Sequence, residues 1–104
     1  MARLTDPGDL PDAARALADL IAVAIMHVVA ATGPTSKGDI IAETGASPTT
    51  VSARLDHLER VGLVTVSLAA GERWGRRIVY DIDRGALATA LDAQRAYLLP
   101  VDEG

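Results

Sequence analysis

The chain has 104 residues and no cysteine, and 49% of its residues are hydrophobic while only 3% are aromatic. This length is typical of one domain, so we predict a single domain over residues 1–104 with a modest core of Ala, Val, Leu and Ile. The lack of cysteine excludes a disulfide framework, a thiolate metal site and a redox-active thiol.

The formal net charge of −4 is unevenly distributed along the chain. Between Ser47 and Tyr80 five arginines outnumber three acidic residues, so the acidic excess lies in the remainder. A locally basic face on an acidic body is compatible with specific nucleic-acid binding, although the acidic body weakens the sequence-independent attraction to phosphate.

An apolar run over residues 13–31 dominates the N-terminal third of the chain. Aspartates and prolines precede this run, where a signal peptide would have a positively charged region. Three residues interrupt it: Arg15, Asp19 and His27. The longest uninterrupted apolar stretch, residues 20–26, is far shorter than the roughly 20 residues that a membrane span needs. We therefore predict a buried helix over about residues 11–32, no membrane association and a cytoplasmic location.

Two short helices joined by a turn are predicted over about residues 36–62. Ser36 with Asp39 resembles a capping box and opens the first helix, which stops at Gly45. Ser47 is a favourable N-cap for the second helix, and Pro48 suits its first position because the missing N–H costs nothing there. The second helix carries one apolar stripe at helical spacing: Val51, Leu55 and Leu58.

The opposite face of the second helix is short and polar at its N-terminal end. It consists of Thr49, Ala53, Asp56 and Arg60, flanked by Ser52 and His57. A face without bulky apolar groups can enter a DNA major groove, which is roughly 12 Å wide. The alternative is an ordinary amphipathic surface helix.

A two-stranded ribbon follows, over about residues 63–82. Gly62 can end the preceding helix, and residues 63–68 and 78–82 are typical of two strands. The tip, residues 69–75, and the start of the second strand carry three arginines: Arg73, Arg76 and Arg77. A charged tip is usually only solvated, but a basic hairpin beside a groove-binding helix can reach phosphate or the minor groove. Together these elements predict a winged helix-turn-helix, a mainly α fold with a small β-ribbon.

The last predicted element is a helix over about residues 84–99. Its apolar side chains recur at helical spacing: Leu87, Leu91, Tyr97 and Leu98. The helix over residues 11–32 is apolar on almost every face and needs burial on more than one side. A small monomer can hardly cover both surfaces, so we predict a homodimer in which the terminal helices pair. A membrane surface is the alternative, but the polar faces lack the lysines and arginines that it favours.

The segment SPTTVSARLDHLERVGLV resembles the recognition helix and exit of ArsR-type (arsenic-repressor-like) bacterial transcription factors. The matching positions are Val51, Ser52, Leu55, Leu58, Gly62, Leu63 and Val64. The tail VYDIDRGALATALDAQRAYLL is similar to the last strand and C-terminal helix of the same group. The resemblance covers roughly two-thirds of the chain, from about Ser36 onward. MarR-type and PadR-type winged helices remain open alternatives.

The resemblance implies that Thr49 and Ser52 contact base edges. Pro48 and Ala53 stand where the family often has a polar side chain, although both can still touch a thymine methyl group. Thr50, Arg54 and His57 flank this face and are predicted to contact phosphate rather than bases. The complete predicted DNA-binding set is Ser47, Thr49, Thr50, Ser52, Ala53, Arg54, His57, Arg73, Arg76 and Arg77.

Few residues of the chain could support other chemistry. His27 lies in the apolar N-terminal helix, and His57 follows Asp56 directly, where two residues of a helix do not face each other. Neither histidine has a visible catalytic partner, so we predict that the chain is not an enzyme. ArsR-type metal sensors often bind zinc-like ions through Asp and His of the C-terminal helix. That helix offers Asp92 but no histidine, so we predict no metal site and no other cofactor.

We predict a sequence-specific DNA-binding transcriptional regulator. The specific form of this prediction is a repressor that binds double-stranded DNA as a homodimer at a palindromic operator. The alternative is a winged-helix module for protein–protein interaction or dimerisation without specific DNA binding. A small-molecule effector of unknown identity is left open.

Overall fold

The structure, a computed structural model, describes residues 10–70 and 76–99, apart from the side chains of residues 69, 70 and 76. Within these ranges it contains five α-helices and a two-stranded antiparallel ribbon. In chain order the elements are α1 (Asp12–Arg15), α2 (Leu20–Thr32), α3 (Lys37–Thr44), α4 (Pro48–Arg60), β1 (Val64–Ala70), β2 (Arg76–Ile82) and α5 (Arg84–Leu98). The predicted fold class, mainly α with a small ribbon, is confirmed.

The N-terminal segment differs from its prediction, because the single helix expected over about residues 11–32 is broken at Asp19. A short 3-10 helix, Ala16–Ala18, follows α1, and this first segment is bent by 99° relative to α2. The carboxylate of Asp19 accepts hydrogen bonds from the N–H groups of Ile21 (2.9 Å) and Ala22 (3.2 Å). A side chain that caps the following turn competes with continuation of the helix, which apolar periodicity alone does not reveal. No single described helix is long and apolar enough to span a membrane, and only the bent pair reaches that length and composition jointly.

The core lies between α2, α3, α4 and the base of the ribbon. Helix α4 contributes the predicted stripe of Val51, Leu55 and Leu58, each at most 1% exposed. Fully buried residues of the surrounding segments complete this cluster: Ile25, Val29, Ile40, Leu63 and Val64. Burial of one such side chain contributes roughly 1.5–3 kcal/mol, so the cluster holds α4 firmly against the domain.

Local interactions define the ends of α3 and the start of α4, as the sequence predicts. The Ser36 hydroxyl accepts a hydrogen bond from the Asp39 N–H (3.3 Å), and Gly45 ends α3 in a left-handed conformation with φ of 72°. Ser47 caps α4, and Pro48 occupies its first turn. The short turn between the two helices therefore has a defined geometry at both of its ends.

The exit from α4 is a Schellman-type turn. The Leu63 N–H donates to the Leu58 carbonyl (2.9 Å), and the Gly62 N–H donates to the Glu59 carbonyl (3.1 Å). Gly62 has φ of 85°, which residues with a Cβ rarely adopt. This turn leads directly into β1 and so determines the direction of the ribbon relative to α4.

The ribbon is joined by hydrogen bonds to the segment that precedes α3. Strands β1 and β2 pair in the register that places Val64 opposite Ile82. Thr35 adds a bridge to Tyr80, with N–H to carbonyl distances of 2.9 and 2.8 Å. Thr35 is only 2% exposed, and its hydroxyl donates to the Gly33 carbonyl. The helix-turn-helix and the base of the ribbon therefore form one unit.

Helix α5 packs against α1. Asp83 caps its N-terminus, and Ala90 is buried. In contrast, Leu91 and Leu98 are 50% and 65% exposed. Much of the predicted apolar stripe of α5 therefore faces solvent in the single chain.

Replacing Gly62 by Ala should lower the free energy of unfolding by about 1–2 kcal/mol, because a Cβ is disfavoured at positive φ. No atom lies within 4 Å of the added Cβ, so the change tests backbone strain without a steric clash. Gly38→Ala is the matched control, since its Cβ also meets open space but lies within α3, and it should be neutral or stabilising by up to about 1 kcal/mol. Urea unfolding followed by circular dichroism measures both variants, and equal effects would contradict this assignment.

Candidate nucleic-acid interface

Helix α4 exposes the face that the sequence predicts for contact with a groove. Thr49, Ala53, Asp56 and Arg60 are exposed, and Ser52 is half-buried at the margin. The first two turns of this face carry only small uncharged side chains, while its charged residues lie closer to the C-terminus of α4. Because the opposite face is buried in the core, the exposed face points in one direction.

Two other predicted contact residues, Ser47 and Thr50, take part in capping α4. The Ser47 hydroxyl donates to Thr50 Oγ1 (2.8 Å), and its oxygen accepts from the Thr50 N–H (3.1 Å). This pair stabilises the first turn, where backbone N–H groups have no helical acceptor. Ser47 remains exposed, whereas Thr50 is half-buried.

The remaining predicted residues of α4, Arg54 and His57, lie on the flank that faces the N-terminal segment. Arg54 Nε is shielded from solvent and forms an ion pair with the carboxylate of Asp19. His57 lines an adjacent hollow of about 350 Å³ with four residues of the N-terminal segment: Asp12, Arg15, Ala16 and Asp19. The structure therefore places both side chains away from the exposed face around Thr49 and Ala53.

Asp19 is the residue of this region that the sequence interpretation missed. One signal was available, because Asp directly before an apolar helical segment is a favourable N-cap. The pairing with Arg54 had no local signal, since the two residues are far apart in the chain and meet only through the packing of α2 against α4. The charge that Arg54 was expected to offer to phosphate is thus already paired within the domain.

The surroundings of Asp19 favour its ionised form. Partial burial alone would raise the pKa of this carboxyl group, but hydrogen bonds from the Ala22 and Ile21 N–H groups, together with the charge of Arg54, outweigh that effect. The pKa of Asp19 is consequently lowered from its ordinary value of 3.8. The folded state therefore gains stability from the carboxylate at neutral pH and loses this contribution as the pH falls through the lowered pKa.

The ribbon presents different surfaces on its two faces. Arg77 is exposed on β2, whereas the side chain of Arg76 is not described and Arg73 lies outside the described residues. Leu68 and Ile78 are directly opposed across the strands and are 60% and 51% exposed. Since successive residues of a strand point to opposite faces, Arg77 and this apolar pair lie on different sides of the ribbon.

Helices α2 and α5 expose apolar side chains on a separate surface. Leu20 is 83% exposed, and Leu91 and Leu98 are at least half exposed. Next to them lies a hollow of about 240 Å³, lined by Leu17, Val23, Met26, His27, Ala30, Leu87 and Leu91. Clustered exposed apolar side chains of this kind are typical of an interaction surface.

The two histidines lie in different surroundings, since His57 lines the polar hollow beside α1 and His27 lines the apolar hollow beside α5. Within residues 10–70 and 76–99, no group of three His, Asp or Glu side chains is placed to hold a metal ion.

Two capped helices with a short turn, followed by a ribbon hydrogen-bonded to the segment before them, define a winged helix-turn-helix domain. The sequence agrees with this class, because residues 19–65 match the family model described as winged helix-turn-helix DNA-binding. A search of curated proteins found no significant sequence match.

Solved structures that are similar to this chain include one from Mycobacterium bovis and one from Thermoplasma acidophilum. The homodimeric winged helix-turn-helix DNA-binding domain (fragment 1–100) of a possible ArsR-family transcriptional regulator from Mycobacterium bovis has 26% identity and a TM-score of 0.62, over 89% of this chain and 82% of that chain. A candidate transcriptional regulator from Thermoplasma acidophilum has 22% identity and a TM-score of 0.58, over 82% of this chain and 86% of that chain. The chain thus has the winged helix-turn-helix fold and is similar to a DNA-binding domain of this fold from a possible ArsR-family transcriptional regulator, and the resemblance predicted from the sequence is confirmed.

Replacing Asp19 by Asn should make the stability of the domain less sensitive to acid. Asn still caps α2 but has no carboxyl group to protonate, whereas the wild-type contribution is fully present above the ordinary pKa of 3.8 and is lost as the pH falls through the lowered pKa of the folded state. Urea unfolding between neutral pH and about pH 3 measures this difference, with Asp92→Asn on the exposed side of α5 as the control. Parallel curves for the wild type and Asp19→Asn would contradict the role given to the carboxylate.

Proposed function

We propose that this protein binds double-stranded DNA sequence-specifically as a homodimer and represses transcription at a palindromic operator. The observation that carries the proposal is the exposed face of α4, whose first two turns present Thr49, Ser52 and Ala53 without any bulky side chain. An α-helix with such a face fits a major groove, where its N-terminal residues lie closest to the base edges.

The distribution of polar groups along α4 supports entry by its N-terminal end. Thr49 and Ser52 carry hydroxyl groups that can donate to or accept from bases, and Ala53 can contact a thymine methyl group. The positive end of the helix dipole lies at the same end and attracts phosphate. Asp56 lies further along, where its negative charge is kept away from the deepest part of the groove.

The ribbon supports a second contact beside the groove. Arg77 is exposed on β2, in a hairpin that the turn at Gly62 joins directly to α4. A cation at this position can pair with backbone phosphate, which orients the domain without reading sequence. Arg73 and Arg76 are part of the same proposal on the strength of their positions in the sequence.

The exposed apolar surface of α2 and α5 supports the homodimer. Leu20, Leu91 and Leu98 are too exposed to be explained by the core of one chain. The similar domain from Mycobacterium bovis is homodimeric. Two copies related by a two-fold axis would present two α4 helices to successive major grooves, and occupancy of both would block polymerase.

One observation favours the alternative function, a protein–protein interaction module. Leu68 and Ile78 form an exposed apolar pair on the ribbon, and apolar pairs are not needed for contact with phosphate. If the ribbon binds another protein, α4 need not enter DNA at all. The experiment below separates the two functions.

Selection of bound fragments from random duplex DNA should yield a palindromic consensus. On that operator, Ser52→Ala should relax base preference at one position in each half-site by about 1 kcal/mol, because one hydrogen bond to a base edge is lost. Arg77→Ala should weaken binding to all sequences alike and reduce the salt slope by about one unit, because a phosphate contact is lost. Titrations against the operator and scrambled DNA at several salt concentrations measure both effects.

Arg95→Ala, an exposed arginine of α5, is the control for the loss of one positive charge and should leave the salt slope nearly unchanged. Simultaneous replacement of Arg73, Arg76 and Arg77 extends the test to the whole ribbon. If this variant keeps both affinity and salt slope, the ribbon does not bind DNA. Failure of the selection to enrich any sequence would favour the interaction module.

Replacing Leu91 by Glu should dissociate the homodimer, because an unpaired carboxylate would be buried in the interface. Leu98→Glu should do the same. Thr89 is also exposed but lies on the face of α5 away from Leu91 and Leu98, so Thr89→Glu should leave the dimer intact. Light scattering at micromolar concentration measures the molar mass of each variant. A wild-type protein that is a stable monomer, or Leu91→Glu and Leu98→Glu variants that remain dimeric, would contradict an interface built from α2 and α5.

A further inference from the structure

We propose that Asp19 is a positioning residue for the recognition helix: its carboxylate joins the start of α2 to the flank of α4 through Arg54 and thereby sets the orientation in which α4 meets DNA. The expected effect of Asp19 on DNA affinity rests on the proposed DNA-binding function. Its structural half, the orientation of α4 relative to α2, stands independently of that function.

The two oxygens of one carboxylate perform two tasks. Oδ1 of Asp19 accepts hydrogen bonds from the N–H groups of Ile21 and Ala22, which begin α2. Oδ2 contacts Nε of Arg54 on α4. Because the capping bonds hold the carboxylate in place, Arg54 meets a partner that is already oriented. The usual entropic cost of ordering both partners of an ion pair is therefore reduced.

The position of Arg54 on α4 places this contact on one side of the helix. Arg54 lies in the middle of the helix, on the flank between the buried residue Leu55 and the exposed residue Ala53. Apolar burial holds α4 against the domain but is non-directional, so it resists small rotations of the helix about its axis less than a contact at one flank does. A polar contact from one flank opposes such rotations, which would otherwise move Thr49 and Ser52 together.

The environment of the pair supports a persistent contact. Both side chains are only about one-third exposed, at 36% for Arg54 and 34% for Asp19, and Arg54 Nε is shielded from solvent. Partial shielding makes the interaction less sensitive to salt than a fully exposed pair would be. We therefore expect the guanidinium group to stay with Asp19 at the salt concentrations used for DNA titrations.

The competing role for Arg54 is a direct phosphate contact, and the two roles predict opposite signs for one variant. If Arg54 binds phosphate, removal of Asp19 frees the guanidinium and removes a negative charge near DNA, so affinity should rise. If Asp19 positions α4, its removal should lower affinity despite the more favourable charge. Asp19→Ser is the appropriate change, because Ser still caps a helix but carries no charge and is too short to reach Arg54.

The DNA-binding test uses Asp19→Ser, Arg54→Gln and the double variant on the selected operator. We expect each single variant to bind the operator about tenfold more weakly, the double variant to bind no more weakly than either, and the salt slope to stay unchanged. Asp83→Ser, which removes the carboxylate cap of α5, is the matched control and should not lower affinity. Increased affinity of Asp19→Ser, or a salt slope reduced by about one unit in Arg54→Gln, would overturn the proposal.

A measurement without DNA tests the structural half. Residual dipolar couplings of the backbone N–H groups report the orientation of α4 relative to α2, and both single variants should change it in the same way, whereas Asp83→Ser should not. An unchanged orientation overturns the inference even if DNA binding falls. If the wild type binds no DNA, the proposed function fails, while the couplings still decide whether Asp19 orients α4. Circular dichroism establishes that each variant is folded.

Discussion

Burial of a single stripe of α4 is the constraint on which the remaining structure depends. Val51, Leu55 and Leu58 are almost completely buried, so the helix has only one face left to offer a partner. The glycine turn at Gly62 and the bridge at Thr35 then place the ribbon beside that face. Both connections are backbone hydrogen bonds, which makes the relation between helix and ribbon largely independent of the exposed side chains. The exposed positions can therefore specialise without endangering the fold.

The exposed face of α4 lacks charged side chains near its N-terminus. The net charge is −4, and the first two turns of the exposed face of α4 are uncharged. Arg54, the basic residue nearest to these two turns of α4, is paired with Asp19 inside the domain. Long-range attraction to a polyanion is consequently weak, and binding would depend on shape, on short-range hydrogen bonds and on the cations of the ribbon. Such a balance favours discrimination between sequences over tight non-specific binding.

Features governed by neighbouring residues could be predicted from the sequence, and features governed by distant contacts could not. The caps at Ser36 and Ser47, and the turn at Gly62, act within a few residues and were predicted at their observed positions. The break at Asp19 is an exception: its cap is local, but it was missed because apolar residues lie on both sides of Asp19 at helical spacing. Helical periodicity also identified the exposed face of α4, but it gave no information on what lies beside each flank, so Arg54 and His57 were assigned to phosphate without knowledge of the N-terminal segment.

The bend at Asp19 gives the N-terminal segment contact with two surfaces at once. A straight helix of about twenty residues would extend roughly 30 Å and could not turn back on itself. With the bend, α1 packs against α5, while the residue at the bend holds the flank of α4. The helix α2, with its exposed apolar side chains, is therefore joined directly to α4 at the bend. The start of α2 is thus joined to α4 by one polar contact as well as by the core, and the polar contact is the more easily altered of the two because it depends on a single pair of side chains.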